Sequence, residues 1–187
     1  MKLKQALKSA MVVVTLLWGI HALNWFLPFD LRHFGIRPRS LDGLIGIVGA
    51  PLLHGNLGHL TANTSALIVL LTVALAYSRK LAVSALGGII FFGGLAVWLF
   101  GSASAIHIGA SGVVFGLVGY LLFIGLFRRE WVALAVSAAV LFLYGGVLLS
   151  LLRFTPGVSW SSHFFGFLAG VAAAWRTKKQ PKGQRLK

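Results

Sequence analysis

The chain has 187 residues, of which 58% are apolar and only 11% charged, with a formal net charge of +14. No water-soluble domain of this length carries such a composition, so the chain is expected in a bilayer. The absence of cysteine excludes a disulfide framework, a thiolate metal site and a cysteine nucleophile; the cations sit at the ends of apolar runs and in the termini, which speaks against nucleic acid as a partner.

The first apolar run, about 10–28, follows Lys2, Lys4 and Lys8. It is too long for a signal-peptide core and no A-x-A-like site follows it, so it is expected to stay attached. Next comes the longest connection, about 29–58, containing LIGIVGAPLL. That string is too short to span and too apolar to be solvated, which places it in the interface. Further runs fall at about 60–78, 81–100, 111–127, 131–151 and 160–175, each near the roughly 20 residues a spanning helix needs. The expectation is an all-α polytopic membrane protein with six transmembrane helices. One membrane domain covers 1–175, and the polar, basic segment 176–187 is expected to be a disordered tail attracted to anionic headgroups. No internal repeat and no second domain is visible.

Six spans put both termini on one side. That side receives Lys2, Lys4, Lys8, Arg79, Lys80, Arg128, Arg129, Arg176, Lys178, Lys179, Lys182, Arg185 and Lys187, or 13 of the 17 cations, and the other receives Arg32, Arg37, Arg39 and Arg153. The positive-inside rule makes the termini cytoplasmic. The three arginines of the first external loop run against the rule, so that loop is expected to be structured.

Polar residues within spans cost free energy and are functional candidates by default. The only acids, Asp30, Asp42 and Glu130, lie outside the spans, which excludes an aspartyl site and a carboxylate proton relay; H-E-x-x-H, the helical zinc-protease signature, is absent. Histidine, serine and asparagine remain. They concentrate in HGNLGHLTANTSA at 54–66, HIGASGVVFG at 107–116 and SWSSHFFGFLAG at 159–170, near the starts of spans two, four and six. Counting back from the basic anchors Arg79, Arg128 and Arg176 puts Asn63, Ser111 and His163 about 24, 25 and 20 Å away at helical rise. All three fall in the outer third of a core about 30 Å thick. Span four starts that deep only if 101–110 dips inward as irregular backbone, which must line an enclosed, water-accessible cavity.

Gly109-Ala110-Ser111-Gly112 sets a serine between glycines where a loop becomes a helix, so close backbone approach and unpaired N–H groups are available to a developing oxyanion. The competing reading is a serine among small residues that let helices pack. His163 has the same two faces: a histidine satisfied by a backbone carbonyl, or the base of a Ser–His dyad oriented by packing because no acid is near. Gly112 and Gly116 after Ser111, and Gly166 and Gly170 after His163, form small-x-x-x-small stripes suited to bringing the two helices together. His59 and Asn63, four apart, share a helix face; they are interhelical hydrogen-bond glue or, with the Ser111 backbone N–H, oxyanion donors. His54 and His107 read as interfacial or loop-fixing residues, and His21 and His33 carry no argument. No metal site is expected, since no carboxylate or thiolate joins the histidines.

Taken together, HGNLGHLTAN, GASGVVFG and HFFGFLAG, in that order on spans two, four and six, resemble the rhomboid family of intramembrane serine proteases over nearly the whole chain. The resemblance implies a rhomboid-like six-helix bundle that uses no cofactor and cleaves transmembrane protein substrates near the external ends of their helices, favouring small residues at the cut. It makes Ser111 the nucleophile and His163 the base, gives His59 and Asn63 the oxyanion, and gives His54 a role in holding the site; Gly109, Gly112 and Gly166 shape it. Two departures stand out. Phe115 occupies a position where well-studied bacterial members often carry a tyrosine stacked on the catalytic histidine, which keeps the stacking surface and loses the hydroxyl. The first loop has Gly35-Ile36-Arg37-Pro38-Arg39 instead of a Trp-Arg pair. The short chain fits a bacterial inner-membrane enzyme. The alternative is a rhomboid-like pseudoprotease that binds transmembrane clients without cleaving them; a transporter fits less well, having a midplane site and often repeats.

Overall fold

A computed structural model describes residues 1–152 and 158–178; Arg153 and the tail beyond Lys178 lie outside the described residues. Six main helices follow in order: α1 Leu3–Phe26, α2 Leu57–Tyr77, α3 Arg79–Phe100, α4 Ser111–Arg128, α5 Trp131–Leu148 and α6 Trp160–Trp175. Five are long and apolar enough to cross a membrane, α5 with its 3-10 extension to Leu152. The sixth, α6, has 16 residues, or about 24 Å at helical rise.

Local chemistry sets the helix starts. Asn56 accepts a bond from the His59 N–H at 2.8 Å, so the N-cap of α2 fixes His59 in its first turn. Ser78 caps α3 and Ser159 caps α6 in the same way. The helix α4 has no side-chain cap; it follows Gly109, whose φ of +112° only glycine adopts without strain.

Burial ranks the helices. Two thirds of the α4 span is buried (67%) against 11% for α5, so α4 is the central post and α5 a peripheral one attached to it. The tightest packing joins α4 to α6. A Cβ on Gly166 would run into the Gly112 carbonyl, one on Gly170 into the Gly116 carbonyl, and one on Gly119 would sit 2.5 Å from the Phe167 carbonyl. Both glycine stripes are therefore in backbone contact. In α3 the helix widens into a π turn at Ile89–Gly93, where Gly93 passes close to Gly166; such turns are frequent at functional sites.

This packing yields a stability prediction. Gly170→Ala is expected to destabilise the protein by about 3 kcal/mol, the upper end of ordinary overpacking, because backbone atoms cannot rotate away. Gly87→Ala, with nothing within 4 Å of the added carbon, is expected to be neutral or to stabilise by up to about 1 kcal/mol. Thermal unfolding of both variants in detergent checks the contrast.

The loop between α1 and α2 is structured, as its arginines required. It forms short helical turns at Leu31–Phe34, Leu41–Leu44, Gly46–Gly49 and Ala50–Leu52, and two of its three arginines are used by the fold. Arg32 pairs with Asp30 at 2.7 Å, and this guanidinium holds the Asp30 carboxyl down at about 2. Arg39, in the left-handed region at φ 59°, donates to the Leu99 and Gly101 carbonyls at 3.0 Å each and so caps the end of α3. The Trp98 indole returns a bond to the Ser40 carbonyl at 2.8 Å.

Candidate active site

The site forms where the starts of α2, α4 and α6 meet the loop. Ser111 is the first residue of α4 and is buried; its N–H belongs to the first turn, whose donors have no partner within the helix. One turn on, Phe115 lies flat on His163 of α6, with ring centroids 4.2 Å apart and planes within 15°. The stack fixes the imidazole against α4. Glycine contact between Gly112 and Ser162, where an added carbon would sit 3.2 Å from the carbonyl, brings the start of α6 to the first turn of α4. The expected hydroxyl–imidazole hydrogen bond does not form: among the described residues, neither side chain has a hydrogen-bond partner. Catalytic bonds of this kind are often long in a resting site and tighten on substrate.

From the other side, α2 closes on the same turn. The His59 ring lies so close over Gly109 that any Cβ there would clash with it. His54, also buried, packs edge-on to His59 with centroids 5.2 Å apart, and its Nε2 accepts the Ala110 N–H at 3.4 Å. His54 thus holds the residue before Ser111, which fits a loop-fixing role. Asn63, one turn beyond His59, is 5% exposed, and among the described residues its Nδ2 has no partner. A buried donor without an acceptor is costly in a resting protein. Of the site residues singled out in the sequence, His54, His59 and Gly166 therefore meet the 109–112 turn directly, and His163 stacks on Phe115 one turn on, while Asn63 stands one turn beyond His59 on α2.

His107 does more than sequence reasoning gave it. Its backbone exchanges two bonds with Ile36, at 3.0 and 2.9 Å, while its ring bonds Ser159 Oγ at 2.6 Å and the Ser102 carbonyl at 3.1 Å. Ser159 in turn meets Ser162 Oγ at 2.6 Å. One buried ring therefore ties the first loop, segment 101–110 and the start of α6 together. The dense serines of SWSS were the signal for it. Segment 101–110 adjoins a cavity of about 40 Å³, lined among others by Ile47, Val97, His107, Gly109, Gly112 and Ser162. That is room for roughly two or three waters.

Comparison with known proteins agrees with this arrangement. A family model described as the Rhomboid domain matches residues 42–180. Rv1337 of Mycobacterium tuberculosis, whose name assigns it no activity, is 41% identical over 177 residues, covering 89% of this chain and 73% of its own. ML1171 of Mycobacterium leprae, likewise without an assigned activity, is 40% identical over 178 residues, covering 89% and 69%. YdcA of Bacillus subtilis, which carries a provisional rhomboid-protease name, is 32% identical over 123 residues, covering 64% and 60%. The chain is a multi-pass integral membrane protein and belongs to the rhomboid family.

Proposed function

We propose that this protein is an intramembrane serine endopeptidase that cleaves transmembrane protein substrates through a Ser111–His163 dyad. The observation that carries the reading is the Phe115–His163 stack one turn beyond Ser111, which holds an imidazole beside a serine at a helix start. In this mechanism Ser111 Oγ attacks the scissile carbonyl carbon and His163 takes the hydroxyl proton, later giving it to the leaving amine. The oxyanion is held by Asn63 Nδ2, His59 and the Ser111 N–H. Water then hydrolyses the acyl-enzyme, His163 again acting as base. All six helices span, α6 as the shortest, and both termini face the cytoplasm of a bacterial inner membrane, in keeping with the distribution of cations.

The second reading, a pseudoprotease that holds transmembrane clients, is favoured by the missing Ser111–His163 hydrogen bond. A fluorophosphonate separates the two, because it phosphonylates only an activated serine. We expect an adduct on Ser111, located by mass spectrometry of the digested protein, and none in His163→Ala. Absence of label in the wild type, with a transmembrane reporter peptide still bound, would instead establish the client-binding protein.

A further inference from the structure

At the end of α4 remote from Ser111, about 25 Å away along the helix axis, the ends of three helices are drawn to one polar node. The Tyr77 hydroxyl, at the end of α2, donates to Glu130 Oε2 at 2.8 Å. Arg128, at the end of α4, forks onto the same carboxylate at 3.2 and 2.8 Å and reaches the Thr177 carbonyl beyond α6 at 3.2 Å. Every member of this node is flanked by cations: Arg79 and Lys80 follow Tyr77, Arg129 lies between Arg128 and Glu130, and Arg176 and Lys178 bracket Thr177. Consecutive Cα atoms are 3.8 Å apart, so all five cations stand within a few residues of one point. All five are exposed, and among the described residues none of their side chains has an ion pair or hydrogen bond.

Arg129 adds an independent signal. It ends α4 in the left-handed conformation, φ 53°, a position glycine usually fills. The other non-glycine residue with positive φ among the described residues, Arg39, uses its guanidinium to cap α3. Among the described residues Arg129 has no such use. Exposed apolar side chains border the cluster, including Leu126, Trp131, Val132 and Trp175, which suits a ligand with a charged head and hydrocarbon chains.

We infer that the ends of α2, α4 and α6 form a binding site for the headgroup of an anionic phospholipid, built by the Tyr77–Glu130–Arg128–Thr177 node and charged by Arg79, Lys80, Arg129, Arg176 and Lys178. Phosphate oxygens supply the acceptors these donors lack, and each cation near a membrane surface strengthens the attraction about fivefold.

The test is native mass spectrometry of the protein released from bilayer discs of equimolar phosphatidylglycerol and phosphatidylcholine. Wild type is expected to retain phosphatidylglycerol selectively, and the triple variant Arg129→Gln, Arg176→Gln, Lys178→Gln to lose that retention at least about tenfold. The triple Lys2→Gln, Lys4→Gln, Lys8→Gln, with the same change in charge, should keep it. A further variant, Arg129→Gly, is expected to raise the thermal midpoint in plain detergent while weakening lipid retention, opposite movements that damage to the fold does not produce. Equal retention of the two lipids, or equal loss in the two triples, overturns the site. Thermal protection by inorganic phosphate matching that by phosphatidylglycerol overturns the lipid assignment in favour of a free anion.

Discussion

His163→Ala is expected to lower turnover of a transmembrane reporter by about 10⁴-fold or more, Ser111→Ala by at least as much, and the double variant no further than the worse single. In the proposed dyad nucleophile and base act on one proton in one step, so once either is gone the other has nothing left to contribute. The site gives this a structural basis. Among the described residues no carboxylate approaches His163; its orientation comes from the face of Phe115 and from the glycine contact that brings α6 against α4. Among the described residues neither side chain has a hydrogen-bond partner, so Ser111→Ala should leave the thermal midpoint close to wild type, while His163→Ala also loses the stack on Phe115 and should lower it modestly. Initial rates in detergent, with thermal unfolding of each variant beside them, make the comparison. Independent, multiplicative losses would show that the two residues do not form a dyad, and full cleavage by Ser111→Ala would place the nucleophile elsewhere.

Much of this was legible because the relevant signals are local or periodic. Glycines spaced by four after Ser111 and after His163 announced two helices able to touch through their backbones, and Gly112, Gly116, Gly166 and Gly170 do so. The depth arithmetic set residues from three distant segments at one expected level with no knowledge of their contacts. What was not legible depends on partners remote in sequence. Nothing near Arg39 shows that its guanidinium reaches Leu99 and Gly101, nor near His107 that Ser159 waits for its ring. The π turn at Ile89–Gly93 is hidden for the same reason: IIFFG reads as ordinary apolar helix, and the close passage of Gly93 by Gly166 emerges only from tertiary packing.

Asn63 decides between two readings of α2 that sequence left open, and the structure makes them experimentally distinct. As interhelical glue, the side chain stabilises the fold, and Asn63→Ala should lower the thermal midpoint while sparing chemistry. As an oxyanion donor it does the reverse. A buried Nδ2 without a protein acceptor contributes nothing to the resting fold and carries a desolvation cost of about 1–3 kcal/mol. On the proposed oxyanion role that cost is recovered when negative charge develops on the scissile carbonyl oxygen, as transition-state stabilisation requires. We therefore expect Asn63→Ala to reduce kcat by about 10²–10³-fold, with KM little changed and the thermal midpoint equal to or above wild type. Steady-state kinetics on the transmembrane reporter and unfolding in the same detergent read both quantities. A lowered midpoint with kcat intact would return Asn63 to the role of glue and leave the oxyanion to His59 and the Ser111 N–H.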